Sequence, residues 1–296
     1  MAVSDPLVSV IIPTYNRLRY LPEAVASVQK QSYANWELLI VDDASTDGTA
    51  GYLRALTSRD RRVTAVLHSR CANPATLRNV GIARAHGAYV AFLDSDDVWM
   101  PDKLAEQAWW LHQERHCRWS YTGDMLIDAH GETMPVDPPG AVSQPSGWIL
   151  AELVSAIASI SLSSVLVERR LLLDVGGFDA AVRFVEDYDL WCTLAARSQV
   201  LFVPQILVQY RRHDDNYQCP SADMDRWWLH ICQKVLHTTD NPKARSACQQ
   251  QCTFRMVRLA EHYSATGDSR RALQTLGAAF GYRRRMARGG EAWRGV

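Results

Sequence analysis

The sequence lacks several features that would place it in a large class of proteins. Its 32 lysines and arginines balance 32 aspartates and glutamates, so the basic excess typical of nucleic-acid-binding proteins is absent. No apolar run reaches the roughly 20 residues that a membrane span needs, and the most apolar stretch, 153–167, contains five serines. Residues 1–5 have neither the basic start nor the apolar core of a signal peptide. These absences predict a soluble, cytoplasmic protein with no nucleic-acid partner.

Cysteine is present, but not in a pattern that predicts disulfides or a structural zinc site. The chain has seven cysteines, an odd number, and none of them forms a CxxC pair. We therefore expect reduced thiols in a cytoplasmic protein. Cys248 and Cys252 are four residues apart and could face one side of a helix, but no second ligand pair accompanies them, which disfavours zinc.

The first hundred residues alternate between two hydrophobic periodicities. Short apolar runs at 7–12, 38–41, 63–67 and 89–93 predict buried strands. The segments between them, at 21–28, 49–56 and 75–85, predict helices, the first with apolar residues at helical spacing. Strands alternating with helices imply an α/β fold with a mostly parallel sheet and right-handed crossovers.

The remaining chain predicts a less regular arrangement. Further strands are expected at 118–128, 162–167, 200–203 and 206–210, and helices at 102–114 and 188–197. The segment 135–147 is rich in proline, glycine and serine and predicts a loop. From residue 222 the sequence predicts three helices with breaks near 241–242 and 267–268. We therefore expect one domain over residues 1–218 and a helical C-terminal extension over residues 219–296.

Polar clusters follow three of the predicted strands. They are Pro13-Thr14-Tyr15-Asn16-Arg17, Asp42-Asp43 and Asp94-Ser95-Asp96-Asp97. In open α/β sheets, ligands bind beyond the carboxyl ends of the strands, so we expect these clusters to converge on one site.

The cluster at 94–97 places three carboxylates directly after an apolar strand. Like charges this close repel one another, and a bound divalent cation relieves that repulsion. Oxygen ligands suit magnesium or manganese, which also accept substrate phosphates. The alternative is a solvated turn in which Asp97 caps the following helix.

The other two clusters have the chemistry to hold a nucleoside. The carboxylate of Asp43 can accept from the imide N–H of uracil or from ribose hydroxyls, and the ring of Tyr15 can stack on a base while the loop backbone holds it. The alternative for this region is that Ser45 or Asp47 merely caps the next helix.

Taken together, the motifs resemble the family 2 glycosyltransferases of GT-A fold. The resemblance covers about the first 215 residues and lies on strings that occur in the same order as in the family. These strings are Pro13-Thr14-Tyr15-Asn16-Arg17, Asp42-Asp43-Ala44-Ser45-Thr46-Asp47-Gly48-Thr49, Arg78-Asn79-x-Gly81, Ala85-x-Gly87-x-Tyr89-Val90-Ala91-Phe92-Leu93-Asp94-Ser95-Asp96-Asp97, Gly176-Gly177-Phe178-Asp179, Glu186-Asp187-Tyr188-Asp189-Leu190-Trp191 and Tyr210-Arg211-Arg212-His213.

The resemblance implies a nucleotide-binding half over about residues 1–100 and an acceptor half over about 101–218. It implies that Asp43 contacts the base, that Asp94 contacts the ribose or diphosphate, and that Asp96 binds a manganese or magnesium ion between the phosphates. The remaining nucleotide-sugar contacts that it implies are Pro13, Thr14, Tyr15, Arg78 and Ser95.

The resemblance further implies that Asp187 is the general base of an inverting transfer without a covalent intermediate. The alternative for Glu186-Asp187 is an acidic first turn favoured by the helix dipole. His213 would approach the metal or diphosphate, or else be a structural histidine. Trp99 and Glu186 are candidates for acceptor or sugar contacts.

The implied function is transfer of a sugar from a nucleotide donor, expected to be a UDP-sugar, to an acceptor in cell-surface polysaccharide or glycoconjugate synthesis. The acceptor would be a glycan, a lipid-linked molecule or a protein. The chain departs from the processive synthases of the family, because it lacks their Gln-x-x-Arg-Trp motif and their membrane spans. We therefore expect one sugar to be transferred per encounter.

Two other functions compete with this one. A nucleotidyltransferase of related fold would need a glycine-rich loop after the first strand, and residues 13–17 contain no glycine. A catalytically degenerate nucleotide-sugar-binding protein is disfavoured because Asp94, Asp96 and Asp187 are all present. Separately, Arg283-Arg284-Arg285 and Arg288 indicate an exposed basic end, with a peripheral contact of the C-terminus with an anionic membrane as the alternative.

Overall fold

The structure is a computed structural model that describes residues 5–135, 144–214, 216 and 221–286, with backbone only at 221 and 283–286. The chain divides into two compact units. The sheet unit comprises Met1–Gly147, Ile160–Ala180 and Ser198–Asn216. The helical unit comprises Trp148–Ser159, Ala181–Arg197 and Tyr217–Val296.

The sheet unit is built on eight strands in the order β3-β2-β1-β4-β7-β6-β8-β5. The strands are β1 Val8–Thr14, β2 Trp36–Asp42, β3 Val63–Leu67, β4 Tyr89–Phe92, β5 Val98–Trp99, β6 Cys117–Ile127, β7 Leu166–Glu168 and β8 Gln199–Arg211. The helices of the chain are α1 Leu21–Gln29, α2 Thr49–Arg59, α3 Pro74–Arg84, α4 Lys103–Gln113, α5 Leu150–Val154, α6 Arg169–Val175, α7 Glu186–Ala195, α8 Ser221–Thr238, α9 Pro242–Ala265 and α10 Ser269–Met286.

Four adjacent strands, β1 to β4, form a parallel half-sheet with α1, α2 and α3 as crossovers. All seven residues of β1 are buried, as expected of a strand covered on both faces. The register pairs Thr14 with Asp42 and Asp42 with Leu67, so these strands end together. This confirms the predicted parallel arrangement and sets the polar clusters along one edge.

The second half of the sheet is mixed. β7 pairs antiparallel with β4 and β6, β8 pairs parallel with β6, and β5 pairs antiparallel with β8. The predicted mixed, mostly parallel sheet flanked by helices is confirmed. The strand expected at 162–167 is instead a 3₁₀ turn, Leu162–Ser164, followed by the short β7.

The two strands expected at 200–203 and 206–210 are one strand, β8. Pro204 lacks the N–H that a regular ladder needs. The pairing absorbs the interruption by a register shift in which Thr122 pairs with Val203 and Gly123 with Ile206. A side chain at Gly123 would come within 3.1 Å of the Gln205 carbonyl oxygen, so glycine permits this close approach.

The helical unit contains α5, α7, α8, α9 and α10. Its last three helices break where the sequence predicts. The side chain of Asn241 accepts hydrogen bonds from the amides of Lys243 and Ala244 at the start of α9, and Gly267 takes a positive φ of 84° after its end. A single cut at residue 218 does not reproduce the two units, because residues 148–159 and 181–197 group with the C-terminal helices. The domain boundary and the division of the first 218 residues into two halves stay predictions.

Six cysteines in the described part of the chain are free thiols, and Cys219 lies outside the described residues. Cys248 and Cys252 are buried in the helical unit. None of the described helices is long and apolar enough to span a membrane. Part of the predicted loop at 135–147 and Arg288 fall outside the described residues, as do the side chains of residues 283–285.

Candidate active site at the carboxyl edge of the parallel strands

Asp43 directly follows β2, and its buried carboxylate is held by a dense set of donors. The amides of Cys71 and Ala72 donate to its two oxygens over 2.7 and 2.9 Å, and the guanidinium of Arg70 also donates to it. Burial alone would raise the pKa of Asp43, but these hydrogen bonds outweigh it and hold the pKa below its usual range. Asp43 is therefore fixed as a charged acceptor.

Arg70 contacts both the Asp43 carboxylate and the ring of Tyr15, so these two residues lie near each other. The Arg70 guanidinium carbon is 3.6 Å from the centroid of the Tyr15 ring, and the ring is 37% exposed. Pro13 and Thr14 are the buried last residues of β1, and the Thr14 carbonyl accepts from the Asp43 amide over 2.9 Å. The nucleotide-binding residues predicted from the first two clusters are thus adjacent at one edge.

Neither Ser45 nor Asp47 is the N-cap of α2, which is Gly48, so the capping alternative is wrong. Asp47 accepts from the amide of Thr49 over 3.1 Å and from the amide of Leu18 over 2.9 Å. Ser45 donates to Asp42 over 2.5 Å and accepts from the Asn16 amide over 2.8 Å. These bonds link the loops that follow β1 and β2. Ser45 and Asp47 therefore stabilise the loops around Asp43, and Asp43 keeps its predicted role in nucleoside binding.

Arg78 and Asp94 form an ion pair, 2.9 Å between Nη2 and Oδ1. Arg78 is carried by α3, which lies close against β1 because Gly81 has no side chain. A methyl group there would come within 2.5 Å of Ile11 Cγ2. The Arg78 side chain is 7% exposed and that of Asp94 is 31% exposed. The guanidinium of Arg78 is thus held beside Asp94, the first acid of the cluster.

Asp96 and His213 lie together, with Nε2 of the imidazole 2.9 Å from Oδ2 of the carboxylate. The His213 ring stacks on Tyr20 at a centroid distance of 4.7 Å, which fixes its orientation. Arg17 lies 3.9 Å from the same carboxylate oxygen. An imidazole nitrogen and a carboxylate oxygen this close together have the chemistry to bind one divalent cation.

Asp97 faces inward, and the suggestion that it caps a helix is wrong. Its carboxyl group is 1% exposed, accepts from the Ser163 hydroxyl over 2.5 Å and accepts from the Arg211 amide over 2.9 Å. Burial, followed by the nearby charges of Asp94 and Asp96, raises the pKa of Asp97 well above its ordinary value. Through these buried hydrogen bonds, Asp97 fixes the turn that carries Asp94 and Asp96.

Ser163 and Arg211 extend this support, and neither was singled out from the sequence as a site residue. The Ser163 hydroxyl accepts from the Asp94 amide over 3.0 Å, and Arg211 Nε donates to the Asp96 carbonyl over 2.7 Å. We call Asp97, Ser163 and Arg211 the acidic-turn brace. Arg211 belongs to the motif at 210–213, but its inward role has no signal in the sequence; Ser163 stands in an apolar, serine-containing stretch that gives none either.

Trp99 was expected to contact a sugar, and this expectation is wrong. The ring is 2% exposed in the hydrophobic core, and its indole N–H donates to the Ser163 carbonyl over 2.8 Å. Ser95 is buried within the acidic turn. Glu186 and Asp187 occupy the first turn of α7 in the helical unit, because this helix begins two residues before the predicted start at 188.

The described part of the chain also contains a cluster of three side chains that could hold a metal ion. Ligand atoms of Asp43, His68 and Cys71 lie within 4.8 Å of one another. The carboxylate of Asp43 is already occupied by a guanidinium and two amides. A cation there would have to displace Arg70, which donates directly to Asp43, whereas Arg17 lies 3.9 Å from Asp96, so Asp96 with His213 is the better candidate for the predicted ion.

Comparison with known proteins agrees with this arrangement. Residues 9–124 match the family model described as Glycosyl transferase family 2. A putative teichuronic acid biosynthesis glycosyltransferase, TuaG of Bacillus subtilis, is 46% identical over 126 residues, which cover 43% of this chain and 50% of that protein. An uncharacterized glycosyltransferase of Rickettsia conorii is 33% identical over 198 residues, which cover 67% of this chain and 32% of that protein.

A third relative is the Escherichia coli protein WfgD, named UDP-Glc:alpha-D-GlcNAc-diphosphoundecaprenol beta-1,3-glucosyltransferase. It is 41% identical over 105 residues, which cover 36% of this chain and 41% of that protein. The chain thus spans between 32% and 50% of the length of these three curated relatives.

Solved structures share the fold. The mannosyltransferase PcManGT from Pyrobaculum calidifontis, in complex with GDP-Man and Mn²⁺, superposes with a TM-score of 0.68 at 19% identity, covering 98% of this chain and 77% of that one. TarS 1–349 of S. aureus, in complex with UDP-GlcNAc, gives a TM-score of 0.65 at 16% identity, covering 97% of this chain and 93% of that one. The GT-A fold predicted from the motifs is confirmed. The family model coincides with the motifs between Pro13 and Asp97, so residues 9–124 of this chain form a glycosyltransferase family 2 region.

Proposed function

We propose that this chain is an inverting glycosyltransferase that moves a sugar from a UDP-sugar to an acceptor hydroxyl. The observation that carries the proposal is the placement, along one sheet edge, of a fixed carboxylate at Asp43 and a separate acidic cluster with His213. The first has the chemistry to hold a nucleobase, and the second has the chemistry to hold a diphosphate and its metal.

The nucleoside would bind with its base at Asp43. That carboxylate has a lowered pKa and stays charged at neutral pH, so it can accept the imide N–H of uracil. The partly exposed Tyr15 ring offers a stacking surface, with Arg70 already against it. Arg78 beside Asp94 supplies a cation near the ribose and diphosphate. Pro13, Thr14 and Ser95 contribute backbone at the same edge.

Asp96 and His213 would hold the divalent cation, for which manganese fits the mixed oxygen and nitrogen donors. Such an ion, when bound, neutralises charge that develops on the leaving diphosphate. Arg17, 3.9 Å from Asp96, adds positive charge at the same place. The acidic-turn brace holds the backbone of Asp94 and Asp96 from beneath, so their side chains are oriented before substrate binds.

Asp187 is proposed as the general base. The acceptor oxygen forms a bond to the anomeric carbon as the bond to the diphosphate breaks, and the electron pair of that bond leaves with the nucleoside diphosphate. The proton of the acceptor hydroxyl passes to Asp187. Attack opposite the leaving group inverts the anomeric configuration, and Glu186 is a candidate for an acceptor contact in the same helical turn.

The acceptor proposed is an intermediate of cell-surface polysaccharide or glycoconjugate synthesis. Support comes from the printed names of two relatives, one of teichuronic acid biosynthesis and one that acts on a diphosphoundecaprenol-linked sugar. Of the three acceptor classes expected from the sequence, these names favour the lipid-linked one over a glycan or a protein. Cytoplasmic location and a peripheral contact through the basic C-terminus remain predictions.

The test is product release from the full chain mixed with Mn²⁺ and a panel of UDP- and GDP-sugars, with a diphosphoundecaprenol-linked sugar as acceptor. The proposal expects free nucleoside diphosphate only when donor and acceptor are both present. Pyrophosphate released from a nucleoside triphosphate and sugar phosphate would identify a nucleotidyltransferase instead. Donor binding without release for any acceptor would leave only a binding protein.

The base assignment is tested by Asp187→Asn. This variant is expected to bind the donor with unchanged affinity and to lose at least about a hundredfold in transfer rate, the contribution typical of a positioned base. Asp223→Asn is the matched control, because Asp223 is also an aspartate in the first turn of a helix of the helical unit. Near-normal transfer by Asp187→Asn would show that the base is another residue.

A further inference from the structure

The last described helix, α10, has an unusual charge composition. Its 18 residues, Ser269–Met286, include five arginines and no aspartate or glutamate. The nearest acid in sequence, Asp268, precedes the helix and pairs with Arg271 at 3.5 Å. The helix therefore carries five positive charges, two near its start and three near its end, that its own sequence does not neutralise.

The same helix has apolar side chains that the described residues leave exposed. Ala279 and Tyr282 are 2% exposed and form its buried side. Leu273 and Phe280 are 73% and 65% exposed. They are seven residues apart, about two helical turns, and so project from the same side. Gly277 lies on the same side of the helix, four residues after Leu273 and three before Phe280, and has no side chain that could cover them.

An exposed phenylalanine elsewhere in the helical unit has different surroundings. Phe254 on α9 is 52% exposed, and the guanidinium carbons of Arg255 and Arg258 lie 5.4 and 5.9 Å from its ring centroid. Both arginines pair with Asp225, at 2.8 and 3.1 Å. Exposure of an aromatic ring is therefore not what distinguishes α10. The distinction is exposure combined with positive charge that the helix's own sequence leaves uncompensated.

We propose that α10 is a membrane-surface helix, which lies on an anionic bilayer with Leu273 and Phe280 in the boundary between headgroups and acyl chains. An amphipathic helix rich in arginine with leucine and phenylalanine on one side has the composition of such interfacial helices. Charge complementarity selects this occupant over a second copy of the chain, because two α10 helices face to face would bring five positive charges against five. Anionic phospholipid supplies both the negative charge and the apolar phase.

The inference does not depend on the transfer reaction. Binding to a bilayer is measured without donor or acceptor, so its failure would leave the proposed glycosyltransferase activity untouched. If both hold, α10 would bring the enzyme to the surface where a lipid-linked acceptor resides.

The experiment is sedimentation of the full chain with vesicles of phosphatidylcholine alone and of phosphatidylcholine with phosphatidylglycerol. We expect binding to the anionic vesicles only, reduced by high salt because surface charge is screened. The double variant Leu273→Ser/Phe280→Ser should bind about tenfold or more weakly, since two apolar side chains no longer leave water. Phe254→Ser is the matched control and should bind like the wild type.

A second variant tests the charge separately. Arg283→Gln/Arg284→Gln/Arg285→Gln should weaken binding by about fivefold for each charge removed. Equal sedimentation of the wild type and both variants would overturn the proposal, and so would equal binding to neutral and anionic vesicles. A wild-type dimer that Leu273→Ser/Phe280→Ser converts to a monomer would instead identify a second copy as the occupant. All changed apolar side chains are exposed, so an unchanged melting temperature confirms that each variant is folded.

Discussion

Asp96 and Asp97 are neighbours in the chain, yet their carboxyl groups lie in opposite environments. Asp96 is at the edge beside His213 and Arg17, whereas Asp97 is buried against Ser163 and the Arg211 amide. Desolvation raises the pKa of Asp97 and favours its neutral form. One carboxylate is therefore suited to bind a cation, and the other to hold the turn in place.

For Asp96, we predict that Asp96→Asn abolishes the dependence of transfer on Mn²⁺ and lowers the rate by at least about a hundredfold. The reason is that an amide cannot supply the negative charge that holds the ion, and loss of one electrostatic stabiliser commonly costs this much. Transfer rate as a function of Mn²⁺ concentration is the measurement. Asp60→Asn, at a half-buried aspartate paired with Arg62 in the sheet unit, is the control and should leave both quantities unchanged. A variant at Asp96 with an undiminished metal response would show that the ion binds elsewhere.

At Asp43, we predict a pH-dependent loss of stability in Asp43→Asn. Because the folded-state pKa is lowered, the carboxylate stabilises the fold above its ordinary pKa of about 4, and that contribution disappears as the pH falls through the lowered value. At neutral pH the variant should lose about 1–3 kcal/mol, as expected for hydrogen bonds to a charged group. Urea unfolding over a series of pH values measures the difference from wild type. A difference that stayed constant down to strongly acidic pH would contradict the assignment.

At the scale of secondary-structure elements, α4 carries a lysine that no solvent reaches. Lys103 is 0% exposed, donates to Gln107 over 2.6 Å and lies 4.2 Å from the centroid of Trp99. Gln107 in turn donates to Ser120 and to the Ser164 carbonyl. A polar network thus ties α4 to β6 and to the 3₁₀ turn behind the acidic-turn brace.

For α4 we predict that Lys103→Met is more stable than the wild type at neutral pH, and that this difference in unfolding free energy shrinks as the pH rises. Burial lowers the pKa of Lys103 well below its ordinary value of 10.5. Between those two pKa values the unfolded chain binds the proton and the folded chain does not, so wild-type stability rises with pH in that window. The methionine variant lacks this term and should lose its advantage over wild type as the pH approaches 10.5. Parallel slopes of unfolding free energy against pH for the two proteins would contradict the prediction. Lys30→Met, on the exposed end of α1, serves as the control.

Most elements could be predicted from the sequence because their signals are local. The parallel strands are apolar runs bounded by polar residues, and the breaks around α9 are marked by Asn241 and Gly267. β8 could not be predicted as one strand, since Pro204 reads as a break and the register shift opposite Gly123 is a tertiary feature.

The site divides in the same way. Asp43, Asp94, Asp96 and His213 could be proposed from motifs, because strand ends in a parallel sheet converge. The acidic-turn brace could not, because Asp97 is separated from Ser163 by 66 positions and from Arg211 by 114. Trp99 is buried in the hydrophobic core and donates to the Ser163 carbonyl, 64 positions away, so its removal from the candidate sugar contacts required the structure.

At the scale of the whole molecule, the helical unit is not confined to the end of the chain. α5 and α7 come from the middle of the sequence and pack with α8 and α9. Lys234 on α8 donates to the 3%-exposed Asp189 on α7 over 2.6 Å. The rings of Tyr188 and Trp228 lie 4.5 Å apart, and Gln251 on α9 donates to the Ser155 carbonyl after α5 over 3.2 Å.

These contacts predict that a chain ending at residue 218 does not fold as a stable protein. Without α8 and α9, the apolar surfaces of α5 and α7 would be exposed, and Asp189 would lose the ammonium group that offsets its burial. We expect the truncated chain to bind a hydrophobic dye and to melt at lower temperature without a single cooperative transition. In the full chain, Lys234→Met isolates the electrostatic part and should cost about 1–3 kcal/mol, since Lys234 is one-third exposed. Asp189→Asn/Lys234→Met should recover part of that loss, because the buried carboxylate charge is removed together with the ammonium group. A truncated chain that is soluble and melts like the full chain would establish residues 219–296 as a separate extension, as the sequence alone suggests.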